Sequence, residues 1–189
     1  AVFSPFQHSL VLTTSNGGNA SVIEPSPHFY DGNYTITAIP DTGFDFVYWT
    51  SPSNSLNILS SNSTAISTLT LDGNSSFHAN FVEKEYLLTV SMGIGGASSS
   101  PSSASHSHFD IIPVEANAST GYVFNRWDDS SGILNSTLSQ ATEANMSKAN
   151  GNASITAQFN KKTYVVNVTE GTGGNVILTS GPYEHFGVY

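Results

Sequence analysis

The amino-acid sequence predicts an all-β protein made of two small tandem units of β-sandwich or barrel-like form, followed by part of a third unit. Short runs rich in Val, Ile, Thr, Tyr and Phe alternate with Gly-, Asn- and Ser-rich stretches, which is the pattern of strands joined by turns. No segment carries a sustained apolar period of 3.6 residues, and the sequence matches itself when it is shifted by 78 positions. Such a self-match indicates one folding unit that occurs more than once.

The repeat defines the boundaries of the units. At a shift of 78 residues Trp49 falls on Trp127, and Gly17-Gly18 falls on Gly95-Gly96 and then on Gly173-Gly174. Chance does not align both tryptophans and three glycine pairs without a gap. The resulting divisions are 1–8 for a leading strand or tail, 9–85 for the first repeat, 86–163 for the second and 164–189 for the partial third.

Each repeat opens with three predicted strands. The short β-rich run 10–13 ends near Gly17-Gly18, which is typical of a hairpin or a bulged turn that leads into a second strand. The stretch 34–39 alternates apolar and polar residues and stops at Pro40, which cannot donate to a central ladder. We therefore expect strands on both sides of the glycine pair and a third before the proline.

The segment 43–49 is the next predicted strand. Period-two alternation places Phe44, Phe46 and Tyr48 on one face, with Trp49 where the chain turns. The closing elements are 68–71 and 76–81, which flank Asp72-Gly73. This pattern predicts a hairpin with a primed turn.

The second unit places Asn150-Gly151 at the position of that turn. The polar stretches 51–66 and 129–145 are predicted to be long surface loops. Residues 139–148 are the one place where a helical turn or two is compatible with the sequence.

Aromatic residues recur at equivalent strand positions and predict two small cores. Each aromatic side chain removes on the order of 150–250 Å² from water. The alternative is that these rings form flat platforms for sugars. The predicted core set is Phe44, Phe46, Trp49, Phe81, Tyr122, Phe124, Trp127 and Phe159.

The composition excludes several classes of protein. A net charge of −9 repels phosphate, so nucleic-acid binding is not expected. The absence of cysteine removes disulfides, thiol catalysis and thiolate metal sites. No apolar run is long enough to predict a membrane span. Polarity comes mostly from 30 Ser, 18 Thr and 17 Asn, which suits an exported, extracellular or surface protein.

The sequence contains many potential modification sites. Nine Asn-x-Ser/Thr triplets are acceptors for N-linked glycans in a permissive cell, although turn-forming asparagine is the alternative explanation. The chain starts without a basic region followed by an apolar stretch, as expected of a mature chain after signal-peptide removal or of a trimmed chain. The nine acceptors are Asn19, Asn33, Asn62, Asn74, Asn117, Asn135, Asn145, Asn152 and Asn167.

The candidate catalytic and metal-binding groups are sparse. His106 and His108 share one strand face, but the sequence supplies no further ligands beside them. The acid pairs Asp128-Asp129 and Asp41 with Asp45 do not recur at equivalent positions, and no Gly-x-Ser-x-Gly elbow occurs. We therefore predict no catalytic site, no bound metal and no cofactor.

The order of these features resembles a known repeat. A strand, Gly-Gly, further strands, Gly-Phe/Tyr-x-Phe-x-x-Trp at 43–49 and 121–127, a variable loop and a closing Ala-x-Phe are similar to the divergent internalin-type B-repeat of secreted bacterial and archaeal proteins. The resemblance implies a small extracellular β-domain of stalks, adhesins and surface layers, usually without catalysis. The composition, the number of glycan acceptors and the partial repeats at the two ends of the chain are also similar to those of archaeal thread-type filament subunits.

The ends of the chain suggest how copies could join. At the same shift Ala1, Val2 and Phe3 fall on the closing strand of each unit, and the third unit is cut off about a third of the way through. We expect a leading strand that includes Ala1, Val2, Phe3 and Phe6 to be donated to a neighbouring copy, giving a head-to-tail homopolymer. The alternatives are a boundary that cuts an ordinary repeat array, or an adhesin or carbohydrate-binding repeat.

Overall fold

The computed structural model describes residues 4–52, 59–169, 171–175 and 182–184. Within these residues nearly all regular structure is β-strand, and the chain divides into two compact units, 1–84 and 85–189. The predicted all-β class with two tandem repeats is confirmed.

The first unit is a sandwich of two three-stranded sheets. One sheet has the order β2-β8-β6 and the other the order β3-β5-β7. β2 and β8 run parallel, whereas the remaining pairs are antiparallel, including a short β1-β4 pair. The strands are β1 (Gln7–His8), β2 (Leu10–Thr14), β3 (Gly18–Val22), β4 (His28–Phe29), β5 (Asn33–Pro40), β6 (Phe44–Thr50), β7 (Ile66–Thr70) and β8 (Ser75–Glu83).

The second unit repeats this arrangement. Its sheets have the orders β11-β9-β15-β13 and β10-β12-β14, and β9 and β15 form the parallel pair. A last antiparallel pair, β16 with β17, follows. The strands are β9 (Glu85–Met92), β10 (Gly96–Ser100), β11 (Ala104–Ser107), β12 (Ile111–Ala118), β13 (Tyr122–Asp129), β14 (Ala141–Asn145), β15 (Ala153–Lys161), β16 (Thr163–Tyr164) and β17 (Tyr183–Glu184).

The core of each unit lies between its two sheets. Alternation along β5 buries Tyr34, Ile36 and Ala38, and β8 places Phe77 and Ala79 opposite them. The second unit buries the equivalent positions of β12 and β15 in the same way. Side chains from both sheets meet in one cluster per unit, so each sheet covers the apolar face of the other.

The predicted closing hairpin is wrong. β7 pairs with β5, whereas β8 pairs with β2 and β6, so Asp72-Gly73 joins strands of different sheets. The glycine pair Gly17-Gly18 likewise leads from one sheet to the other, because β2 and β3 do not pair. Turn residues mark where a strand ends, but they do not specify which strand becomes its neighbour.

A β-bulge changes the predicted face of one aromatic residue. Phe46 pairs with Phe81 and Tyr48 pairs with Asn80, which leaves Val47 as an extra residue in β6. The bulge turns Trp49 inward and Tyr48 outward, so the expectation that Tyr48 shares the face of Phe46 is wrong. β13 carries the same bulge between Phe124 and Arg126.

The predicted surface loops fold back onto the sandwich. Isolated bridges join Leu59 to Leu69 in the first unit and Leu134 to Ala144 in the second. The two bridges are equivalent at a shift of 75 positions instead of 78. The three residues Met146–Lys148, which form a 3-10 turn, make up the difference, so that β15 again matches β8 at a shift of 78. Residues 139–148 therefore hold strand β14 and a single helical turn of the 3-10 type.

Candidate functional site: the corner and the seam of each repeat

The glycine pair forms a corner that two aromatic rings cover. Gly17 has a φ of +101°, and a Cβ placed there would overlap the ring of Phe44. A Cβ on Gly18 would lie 2.5 Å from Cζ of Phe81. The repeated glycines are therefore required by contact as well as by conformation. The second unit repeats the contacts with Gly95 against Tyr122 and Gly96 against Phe159.

The two tryptophans lie at the centre of the cores. Trp49 is 0% and Trp127 is 1% exposed, and their Nε1–H groups donate to the carbonyls of Thr64 and Ser139 at 3.1 Å. Fully buried indoles cannot stack on a sugar, so the platform interpretation fails for both. The other predicted core residues are partly buried: Phe46, Phe81, Phe124 and Phe159 pack against the clusters, and Phe44 and Tyr122 cover the glycine corners.

The first long strand of each unit (β2 or β9, the opening strand) and the last (β8 or β15, the closing strand) pair in parallel. Five residue pairs join β2 to β8, from Leu10 with Ser75 to Thr14 with Ala79, and five pairs join β9 to β15. We call these two pairings the seams. The chain therefore enters and leaves each unit along neighbouring strands.

Equivalent asparagines close the start of each seam. Oδ1 of Asn74 accepts a hydrogen bond from the backbone N–H of Ser9 at 2.9 Å, and Oδ1 of Asn152 accepts from the N–H of Leu87 at 2.9 Å. These two are the only predicted glycan acceptors that occupy equivalent positions in the two units. Their recurrence therefore has a structural explanation that needs no glycan.

The other predicted glycan acceptors differ in how their side chains are bound. Asn33 accepts from Thr70, and Asn145 caps the 3-10 turn through Ser147. Asn135 donates to Glu143 at 3.0 Å, and Asn117 donates to Ser98 at 3.4 Å. The acceptors with exposed side chains and no such role in the described residues are Asn19, Asn62 and Asn167.

The adjacent acids Asp128 and Asp129 serve separate networks. Arg126 donates through Nε to Asp128 at 2.8 Å, and Gln158 donates to the other carboxylate oxygen at 2.7 Å. The Arg126 bond, followed by the Gln158 bond, lowers the pKa of Asp128. Asp129 instead accepts from three backbone N–H groups of the following loop, at 131, 132 and 134. The two carboxylates do not form an acid-base pair.

The other acid pair is also divided. Asp45 lies 3.5 Å from Nζ of Lys84 in an exposed ion pair, whose contribution to stability is small. Asp41 acts through its backbone, which accepts from Phe44 and donates to Gly17. The Lys84 backbone N–H donates to Gly43, and Lys162 donates to Gly121 in the same way. The matched lysines thus fasten the end of each closing strand.

His106 lies in β11 and His108 directly follows that strand. Nδ1 of His106 is 3.8 Å from Oδ2 of Asp110, whereas His108 is buried against Tyr86 and Phe109. In the part of the chain that the structure describes, no three His, Cys, Asp or Glu side chains converge as metal ligands. The 78-residue shift also aligns His28 with His106.

Within its described residues, the third copy repeats the first pairing of a unit. β16 pairs with β17 as β1 pairs with β4 and β9 with β11, with the partner strand displaced by one residue. After β16, Val165, Val166 and Val168 are 77%, 51% and 46% exposed. The equivalent of Val166 in the second unit is Leu88, which is fully buried against its closing strand.

The predicted donor strand lies mostly outside the described residues. Ala1, Val2 and Phe3 are among the residues that the structure does not describe. Phe6 is 81% exposed, and its carbonyl accepts a hydrogen bond from the N–H of Tyr30 at 3.1 Å. The backbone of Phe6 is thus attached to its own unit.

Comparison with families of known proteins agrees with this architecture. Residues 10–85 and 86–163 each match the divergent InlB B-repeat domain. The chain belongs to the divergent InlB B-repeat family. No match was found among curated proteins or among solved structures.

Family membership indicates what kind of module the chain is. B-repeat domains are typical of secreted or surface proteins, and the chain is a structural or adhesive repeat module. Among the residues described, none of the secondary structure is a helix long and apolar enough to cross a bilayer. Both matched repeats of this chain contain a glycine corner, a buried tryptophan and a seam.

Proposed function

We propose that this B-repeat chain is a non-enzymatic structural subunit of an extracellular filament or stalk, in which copies join head to tail by strand donation. In each complete unit the opening strand is covered by a closing strand that runs parallel to it. The third opening segment would be completed in the same way by the closing strand of another copy. The repeat that builds the unit would then also build the assembly.

The exposed valines of the third copy are the observation that carries this proposal. Val166 and Val168 match Leu88 and Val90, which face the second core. An added parallel strand would remove these side chains from water and pair the free backbone groups beside them. Burying one valine contributes on the order of 1.5–3 kcal/mol.

The position of Phe6 supports the donor side of the proposal. Phe6 matches Lys84, the single residue between the closing strand β8 and the next opening strand β9. A donated strand ahead of Phe6 would therefore leave the neighbouring copy as β8 leaves the first unit. The bond from Tyr30 to the Phe6 carbonyl would hold the exit of this strand on its own unit.

The arrangement of polar groups favours a structural role over catalysis. The acids of the two predicted pairs make separate contacts with Arg126, loop backbone and Lys84, and the indoles of both cores are buried. An adhesive surface remains the second interpretation of a module from this family, but the buried tryptophans give it no sugar platform.

Two complementary variants test the assembly. Deletion of residues 1–5 removes the proposed donor and leaves the acceptor, whereas Val166→Asp places a charge in the acceptor and leaves the donor. We expect polymers from the parent chain in negative-stain images and monomers from each variant alone. Mixing the two variants should give discrete dimers in size-exclusion chromatography, because only one junction can form.

Val165→Asp is the matched control. Val165 corresponds to Leu87, which points away from the core and is partly exposed, so a charge there should leave the polymers intact. Monomeric parent chain at high concentration, or dimers absent from the mixture, would exclude strand donation. Folding of each variant is checked by circular dichroism and tryptophan emission.

A further inference from the structure

The seams lie on the direct path between the ends of each unit. In the first unit the chain enters at the Leu10 end of β2 and leaves beyond the Ala79 end of β8. Because the two strands are parallel neighbours, pulling on both ends slides one strand along the other. All cross-strand hydrogen bonds are then loaded together. An antiparallel pair pulled from one edge would instead lose its bonds one after another.

Additional hydrogen bonds extend the seam at both of its ends. At the entrance Ser75 donates to the Ser9 carbonyl at 2.9 Å, next to the Asn74 bond. At the far end the N–H of Ser15 donates to the Ala79 carbonyl at 3.0 Å. The second unit keeps both ends, with the Asn152 bond at the entrance and a 2.8 Å bond from Gly93 to Ala157 at the far end.

The core-facing side of each seam is shielded from solvent by buried side chains. Phe77 and Ala79 are fully buried beneath the first seam, and Leu88, Ile155 and Ala157 are fully buried beneath the second. Water cannot reach the strained hydrogen bonds from this side to replace them, so their rupture requires the core to open as well.

Each closing strand is joined to the next opening segment by a single residue. Lys84 is the single residue between β8 and β9, and Lys162 is the single residue between β15 and β16. Both donate a backbone hydrogen bond to the preceding unit, at 2.8 Å to Gly43 and 2.7 Å to Gly121. Tension along the chain therefore passes from one closing strand straight into the next opening strand.

We infer that each unit withstands tension applied along the chain because its parallel seam, closed by Asn74 or Asn152, is loaded in shear. The property belongs to a single unit and does not depend on assembly between copies. The two proposals can therefore fail separately, since one is tested on polymers and the other on a single tethered chain.

Single-molecule force spectroscopy on the full chain tests the inference. The chain has no cysteine, so paired engineered cysteines give unique attachment points. Lys84→Cys with Lys162→Cys loads the second seam in shear. Thr120→Cys with Lys162→Cys pulls on neighbouring ends of the antiparallel pair β13 and β15, where Tyr122 pairs with Lys161. The shared attachment at position 162 makes the two geometries comparable.

We expect the shear geometry to unfold at a force about twofold or more above the peeling geometry at equal loading rate, since forced unfolding is governed by the barrier along the pulled direction. Full unfolding in shear should extend the chain between the two attachment points to about 26 nm. Equal forces in the two geometries, or a lower force in shear, would overturn the inference.

A pair of asparagine variants separates the seam from general stability. Asn152→Ala removes the acceptor at the seam entrance and should lower the force in shear while leaving the peeling force unchanged. Asn135→Ala removes a hydrogen bond from the loop to Glu143 of β14 and should lower neither force. An unchanged shear force in Asn152→Ala that is folded by circular dichroism would exclude the proposed role of that side chain.

Discussion

The ring of His108 packs edge to face against the ring of Tyr86, with centroids 5.9 Å apart. The equivalent positions in the first unit hold His8 against Tyr30 at 6.0 Å, so the two units keep the pair and exchange its members. A contact that survives an exchange of residue types depends on the shapes of the two rings. The pair holds the opening strand against the segment that follows β11.

The buried nitrogen of His108 leads to the first prediction. Nδ1 of His108 is buried without a hydrogen-bond partner in the structure. His108→Phe should keep the ring packing and remove the unpaired polar atom, so the free energy of unfolding should be equal or higher. His108→Ala should lower it by about 2–4 kcal/mol. Urea unfolding monitored by tryptophan emission measures both, and a large loss in His108→Phe would show that the nitrogen has a partner.

The glycine corner gives the second prediction. Gly95→Ala introduces strain at a φ of +93° and a clash with the Tyr122 ring, and it should cost about 3 kcal/mol. Gly132→Ala is the control, because Gly132 has a φ of +68° but nothing within 4 Å of an added Cβ. It should cost about 1 kcal/mol. If the two substitutions cost the same, backbone conformation alone would explain the repeated glycine.

The buried indoles give the third prediction. Trp127→Phe should lower the free energy of unfolding by about 1–3 kcal/mol, because the ring shrinks and the Ser139 carbonyl loses its donor. In the parent chain, tryptophan emission should stay unchanged when soluble oligosaccharides are added and shift to longer wavelength only on unfolding. A sugar-dependent shift would restore the adhesive interpretation.

The repeat and the strand content were predictable because they depend on local sequence. Gly17, Trp49 and Phe81 recur with one period, and each is fixed by a contact within its own unit. Strand partners were not predictable in the same way. The turn at Asp72-Gly73 indicated a hairpin, but burial of Leu69 and Phe77 on facing sheets favours a crossover between them.

The bulge and the seam depend on information that alternation alone does not contain. The extra residue at Val47 turns Tyr48 outward and Trp49 inward. The sequence sign of this bulge was the spacing between aromatic residues that both units share at this point. The seam joins residues 65 positions apart, such as Leu10 and Ser75. The match of Asn74 with Asn152 is the sequence signal of the seam, but from the sequence alone glycan acceptance explains these residues equally well.

Glu24 gives the first unit an acid-sensitive contact. Its carboxylate accepts a hydrogen bond from the backbone N–H of Thr35 at 2.7 Å, and this bond lowers the pKa of Glu24, with His28 adding a smaller favourable charge. The equivalent position in the second unit is Ser102, which does not titrate in this range.

The fourth prediction follows from the sign of this shift. A carboxyl group whose pKa is lower in the folded chain stabilises it above the unfolded pKa of about 4.3, and the stabilisation is lost as the pH falls through the lower folded value. Glu24→Gln keeps an acceptor for Thr35 but cannot titrate. The difference in unfolding free energy between the parent chain and Glu24→Gln should therefore be constant above about pH 5.5 and shift against the parent chain below about pH 4.3. Chemical unfolding across this range measures the difference, and parallel profiles for the two chains would mean that the Thr35 bond is not maintained in solution.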